Sequence, residues 1–220
     1  MLGIITEYNP FHNGHKLHIE KSKIKTNSKY CIVVMSGNFS QRGEPTIFDK
    51  YLRTKMALLN GADIVLELPI TFATASAELF ALGAVDILDK TGIVTKICFG
   101  SEEGNLTNFL DIANILSNEP QIFKEHLNNF LNKGMSFPKA RFNALEATLN
   151  KSLDFLNEPN NILSIEYLKA INILNSNIIA KTIRREKANF HSHNINGNIA
   201  SATAIRQAFF NNNLNNLKNV

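Results

Sequence analysis

Only two cysteines, Cys31 and Cys98, occur among the 220 residues, each alone inside an apolar run. They form no C-x-x-C pair, so neither a disulfide framework nor a zinc site of the usual spacing is expected. No apolar stretch approaches the roughly 20 residues that a membrane-spanning helix needs. The N-terminus carries no basic flank of the secretory kind, so a signal peptide is not expected either. These features point to a reducing compartment, the cytoplasm, with no membrane partner. No internal repeat is visible. With 44% hydrophobic residues, the chain can bury a full core as one large domain, or as one domain with a small appendage.

The net charge of +4 is unevenly distributed. Residues 1–150 hold 15 Lys and Arg against 15 Asp and Glu, whereas residues 151–220 hold 8 against 4. The densest cluster is Lys181, Arg184, Arg185 and Lys187. Such a patch suits the phosphates of a nucleotide or of an RNA backbone, and it equally describes a solvated basic face.

Short apolar runs near 2–6, 30–35, 63–67 and 95–99 are each followed by a helix-like stretch. Strands alternating with helices predict an α/β fold with a parallel sheet and right-handed crossovers. Residues 104 to 175 read as mostly helical, with breaks near Glu119-Pro120, Phe137-Pro138 and Pro159-Asn160. Ile178-Ile179-Ala180 can form one more strand. The expected division is an α/β domain over 1–175, completed over 176–220 by a last strand and helix. The Asn-rich end, Asn211 to Asn219, reads as frayed or cut short.

The most informative segment is Thr6-Glu7-Tyr8-Asn9-Pro10-Phe11-His12-Asn13-Gly14-His15-Lys16-Leu17-His18. It follows the apolar run Leu2-Gly3-Ile4-Ile5, contains the turn signal Asn9-Pro10, and leads into a stretch where Leu17, Ile19 and Ile24 can face a core. A strand thus hands over to a helix at an H-x-G-H tetrad. Free N–H groups at a helix start attract phosphate, Gly14 permits close approach to the backbone, and imidazoles three residues apart share one face. His12 and His15 can then donate to phosphate oxygens as charge develops. Taken alone, four such residues equally describe a turn with two surface histidines, or a metal-binding pair.

With Gly3-Ile4-Ile5 before it, this opening resembles that of the H-x-G-H nucleotidylyltransferase superfamily. In its longer form, E-Y-N-P-F-H-N-G-H, it resembles the bacterial tRNA(Met) cytidine acetate ligase family. Five later segments resemble that family in order: Met35 to Pro45, Gly61 to Pro69, Cys98 to Glu102, Pro159 to Leu163, and Ile199 to Arg206. The resemblance implies a Rossmann-like parallel sheet of the nucleotidylyltransferase type with a mostly helical C-terminal portion. It also implies an ATP-dependent ligase that makes acetyl-AMP from acetate, with Mg²⁺ on the phosphates, and acetylates the wobble cytidine of elongator tRNA(Met). Members of that family are longer, so the chain corresponds either to part of such a protein or to a short relative that only binds nucleotide. Two other readings stay open: a nucleotidylyltransferase acting on a small phosphorylated cofactor precursor, and a nucleotide-binding RNA module without turnover.

His12 and His15 are the implied catalytic pair. Glu7, Tyr8, Asn9, Pro10, Phe11, Asn13, Gly14 and Lys16 are implied to hold the nucleotide, with Gly100, Asn161, and Arg185 in preference to Arg184. Singly, Gly100 also reads as a turn glycine and Asn161 as a helix cap. Ser201 and Thr203 flank the start of a final helix, where their hydroxyls can cap it, and Arg206 lies about one turn on. This last segment resembles the I-S-S-T-x-I-R element that faces the tetrad across the triphosphate in the superfamily, with Ala202 in place of one serine. Ser36 to Pro45 is a polar loop in which Gln41 and Arg42 are possible anion contacts, able to shape or close the acid pocket. Asp63 and Glu67 read as strand-end residues.

Overall fold

The structure is a computed structural model that describes residues 1–185 and 200–213. Lys187, Ile199 and the Asn-rich end from 214 onward lie outside the described residues. Five strands form one parallel sheet in the order β3-β2-β1-β4-β5: β1 (Leu2–Thr6), β2 (Cys31–Ser36), β3 (Ile64–Leu68), β4 (Lys96–Ser101) and β5 (Ile179–Arg184). Each lies within a few residues of the run that predicts it, and Ile178-Ile179-Ala180 does open the fifth strand.

The helices that connect them are α1 (Asn13–Thr26), α2 (Lys50–Leu59), α3 (Ile70–Ala73), α4 (Ala77–Lys90), α5 (Thr107–Asn118), α6 (Gln121–Asn132), α7 (Phe137–Leu149), α8 (Pro159–Ile173) and α9 (Ala202–Phe210). Strand β2 is buried along its whole length, as expected of a central strand covered on both faces. Its side chains alternate between two apolar clusters. Ile32 and Val34 join one with Phe80, Val85, Phe109 and Leu168, while Cys31, Val33 and Met35 join the other with Leu2, Ile4, Ile19 and Cys98.

Helix α1 departs from expectation. Its buried positions are Ile19, Ser22 and Thr26, and Ile24 is 80% exposed. At about 100° per residue, Ile24 sits roughly 140° around the helix from Ile19, so the two cannot share a core-facing stripe. The helix is held to the sheet through small and polar groups instead of a run of large apolar ones.

Strands β1 and β4 pair only through Leu2 with Lys96 and Gly3 with Ile97. Beyond Gly3 they diverge, and the strand order reverses direction at this point. The carboxyl ends therefore open a crevice where open α/β sheets bind ligands, and α1 starts at its mouth.

The other side of β1 is closed by Arg53 of α2, a fully buried cation. Its guanidinium donates to the carbonyls of Phe48 (3.1 Å), Ser36 (3.2 Å), Gly37 and Glu7. One planar group thus ties the ends of β1 and β2 to the start of α2, and burial holds its pKa below the usual guanidinium value. Replacing it with alanine strands four carbonyls, two of them, Ser36 and Gly37, in buried bonds and two, Phe48 and Glu7, in part-buried ones. Arg53→Ala should lower the unfolding free energy by at least about 3 kcal/mol, and Arg53→Lys should rescue little because one ammonium cannot reproduce the fork. Urea midpoints at unchanged m-value measure both.

Candidate active site

The turn that follows β1 is tightly framed. Tyr8 is buried with a left-handed φ of 48°, and the Asn9–Pro10 peptide bond is cis. The Glu7 carboxylate accepts from the Gln41 N–H at 2.7 Å, and the Asn9 side-chain carbonyl accepts from the Ile47 N–H at 2.9 Å. The Tyr8 ring packs against Phe11 and His15, with centroids 4.8 and 4.7 Å away. Glu7, Tyr8, Asn9 and Pro10 therefore build the loop, while Asn13 and Lys16 stand exposed on the first turn of α1.

His12 is the N-cap of α1 and His15 is its third helical residue. The Nδ1 of His12 accepts from the Gly14 N–H at 3.1 Å, and the Nδ1 of His15 accepts from the His12 N–H at 3.3 Å. This is a capping box in which imidazoles replace the usual Ser/Thr and Glu/Gln. The rings stack with centroids 3.7 Å apart. The expectation of free amides at this helix start is corrected for His12 and Gly14, whose N–H groups are taken by the histidines themselves.

The cap also settles the protons. Each Nδ1 is an acceptor, so the hydrogen-bond pattern assigns the ring proton of both residues to Nε2. Burial, and then the nearby Arg185 guanidinium, push His12 down to about 4. His15 is held well below 6.5 by burial, then by His12, His18 and Arg185. His18, one further turn along, is also pushed down to about 4 by burial and Arg185. The pair is neutral near pH 7 and presents two Nε2–H donors.

Arg185 follows β5 and acts electrostatically on all three histidines. Its Nη1 donates to the side-chain carbonyl of Asn160 at 3.5 Å. Gly100 makes room for it: a Cβ there would come within 3.0 Å of Arg185 Cγ. Arg184 packs instead on the following turn, where a Cβ on Gly104 would meet its own Cβ at 2.7 Å. Successive strand residues point to opposite faces, which separates the two arginines.

Asn161 is buried, and its amide is committed to the backbone. Its side-chain oxygen accepts from the N–H groups of Glu102 (3.0 Å) and Glu103 (3.3 Å), and its Nδ2 donates to the Phe155 carbonyl at 2.7 Å. It holds the turn after β4. Asn160, which the sequence reading passes over, is the neighbour that reaches Arg185, and its Nδ2 also donates to Glu102 at 2.6 Å.

Helix α9 closes the assembly. Ser201 is its N-cap, accepting from the Ala204 N–H at 3.1 Å. Thr203 does not cap; its hydroxyl accepts from Arg206 Nη2 at 3.3 Å. Arg206 Nη1 donates to the Asn9 carbonyl at 2.7 Å, so the final helix is tied directly to the loop that carries the tetrad.

The depressed histidine pKa values predict a pH dependence of stability. Above about pH 6.5 neither folded nor unfolded chain protonates His12. As pH falls from about 6.5 towards about 4 the unfolded state takes the proton and the folded state does not, so stability declines across that window, by on the order of 3 kcal/mol for His12 alone. Urea unfolding of wild type and His12→Gln over this range measures it, and the variant should show the shallower slope.

The family model described as "HIGH Nucleotidyl Transferase" matches residues 1–220. The chain is 46% identical over 228 residues to a tRNA(Met) cytidine acetate ligase of Halothermothrix orenii, covering 99% of this chain and 54% of that protein. It is 49% identical to the protein of the same name from Clostridium tetani, covering 98% of this chain and 55% of that one. A crystal structure of Thermotoga maritima TmcAL bound with alpha-thio ATP superposes with a TM-score of 0.91 at 41% identity, over 99% of this chain and 52% of that one. The chain thus spans about half the length of the curated relatives it matches. A parallel sheet opened at β1 and β4, with an H-x-G-H tetrad capping the helix at its mouth, accords with that match, and the chain belongs to the HIGH nucleotidyl transferase family.

Proposed function

We propose that this chain uses ATP to activate acetate as acetyl-AMP, and that the acetyl group passes to the exocyclic amine of the wobble cytidine in elongator tRNA(Met). The observation that carries this reading is the reciprocal cap, which leaves two neutral Nε2–H donors near Arg185 at the helix start by the mouth of the crevice between β1 and β4. In the first half-reaction a carboxylate oxygen attacks the α-phosphorus, and pyrophosphate departs with the electrons of the broken P–O bond. The nucleophile is already an anion, so no strong base is required. What the reaction needs is positioning and stabilisation of charge on the phosphate oxygens, which preorganised donors supply.

The names of the relatives and the ATP analogue in the Thermotoga structure support the same assignment. His12 and His15 would face the reacting phosphates, Arg185 would neutralise them from the β5 side, and Lys16 would add a cation from the first turn of α1. Gly100 and Asn161 would act on the nucleotide indirectly, by making room for Arg185 and by shaping the turn after β4. Ser201, Thr203 and Arg206 would approach from α9. A Mg²⁺ ion would travel with the triphosphate; among the described residues no three His, Cys, Asp or Glu side chains converge to hold one. No helix among the described residues is long and apolar enough to cross a membrane, and a tRNA substrate would place the reaction in the cytoplasm.

Acetate-dependent exchange of labelled pyrophosphate into ATP tests the first half-reaction. Wild type should exchange, and His15→Ala should lose about 10²- to 10³-fold in rate, the usual cost of one transition-state donor, while thermal melting shows it folded. Exchange supported by phosphopantetheine or nicotinamide mononucleotide, and not by acetate, would replace this reading with a cofactor-precursor transferase.

A further inference from the structure

One strand over from the histidine pair, at the carboxyl ends of β2 and β3, lies a cavity of about 140 Å³ lined by Gly37, Asn38, Phe39, Glu67, Ile70 and Ala73. It is too small for a nucleotide and large enough for a single ring. Arg53 joins it to the tetrad loop, because the same guanidinium donates to Gly37 on the cavity wall and to Glu7 at the loop's base.

Its chemistry is specific. Phe39 is 38% exposed, yet it stands on a pinned loop: it bridges to Pro45, and the preceding Asn38 accepts from the Thr46 N–H through its carbonyl (3.0 Å) and from the Lys50 N–H through its side chain (2.8 Å). An open aromatic face on a rigid support is a stacking platform. Glu67 Oε2 is paired with Lys50 Nζ at 2.6 Å. Its Oε1 leans over Gly37, where a Cβ would come within 2.5 Å of it, so the absent side chain leaves room for the carboxylate at the cavity wall. Ile70 and Ala73 supply apolar walls.

We propose that this cavity receives the acceptor base, a cytosine stacked on Phe39 with its exocyclic amine donating to Glu67; the proposal rests on the reading of the chain as a cytidine-modifying ligase. A carboxylate is the natural partner of that amine. Uracil would bring a carbonyl oxygen to the same carboxylate, so the pocket selects cytosine by repulsion as well as by attraction. The acid substrate suits the cavity less, since its own carboxylate would meet Glu67, while the adjacent Lys50 is already paired with that residue and the Arg53 guanidinium is taken up by backbone carbonyls.

The test uses the whole chain and two anticodon stem-loop RNAs that differ only in cytidine or uridine at the wobble position. Wild type should bind the cytidine form at least about tenfold more tightly. Glu67→Gln should erase that preference, and Phe39→Ala should weaken both RNAs about tenfold or more; Phe39 is solvent-facing, so folding is retained and melting verifies it. The KM for acetate in pyrophosphate exchange should stay where it is in both variants. Equal or absent binding of the two RNAs by wild type would overturn the proposal. So would a tenfold rise in the acetate KM of either variant, which would make the cavity the acid's pocket. Failure of wild type to exchange at all would count against the ligase reading, whereas the cytidine preference reports on the cavity independently.

Discussion

The first turn of α1 is held together by two imidazoles that accept each other's neighbouring amides, and the site's chemistry follows from that one arrangement. Because Nδ1 of His12 and His15 accepts a backbone N–H, neither ring can rotate without unwinding the helix start. Protonation at Nδ1 would break the cap, while burial and Arg185 already disfavour the charged rings. The rings are therefore fixed in position, in tautomer and in charge before any ligand arrives. Preorganised donors of this kind need no rearrangement as charge builds in a transition state.

The turn ahead of the cap is clamped from three directions by groups far away in sequence. Arg53 takes the Glu7 carbonyl, the loop after β2 supplies the Gln41 and Ile47 amides, and Arg206 reaches the Asn9 carbonyl from α9. Several residues expected to touch nucleotide are thereby occupied in building the frame. The division of labour is consistent: side chains of Glu7, Tyr8 and Asn9 are engaged with protein, while His12 and His15 at the start of α1 lie within electrostatic reach of Arg185 after β5.

The parts legible in the sequence are those written in local pattern. Strands such as Cys31-Ile32-Val33-Val34 are continuous apolar runs, and the tetrad and Ser201 carry recognisable cap chemistry, whereas Gly100, which singly reads as a turn glycine, lies inside β4 and pairs with Ile183. Arg53 left no such trace, because its partners are carbonyls brought together only by the sheet. Asn160 and Asn161 are adjacent and chemically identical, so only the helix geometry shows that one reaches Arg185 while the other braces the turn after β4. Arg184 and Arg185 are likewise told apart by strand alternation and by the space that Gly100 leaves. Ile24 misled for the opposite reason: it looks like core, but α1 does not bury an apolar stripe.

That polar underside of α1 has a cost. His18 Nε2 on this helix, and the Tyr8 hydroxyl in the turn ahead of it, are buried without a hydrogen-bond partner among the described residues, and each such group costs roughly 1–3 kcal/mol. An apolar face on α1 would pack better, yet it would remove His15 and His18 from the side of the helix that meets the sheet. Natural folds break local rules at functional sites and compensate elsewhere. Here the compensation lies in the four carbonyl bonds of Arg53 and in the apolar cluster on the other face of the sheet, which carries Phe80, Phe109 and Leu88. The helix that bears the histidines can remain a poor hydrophobic packer because the opposite layer is a good one.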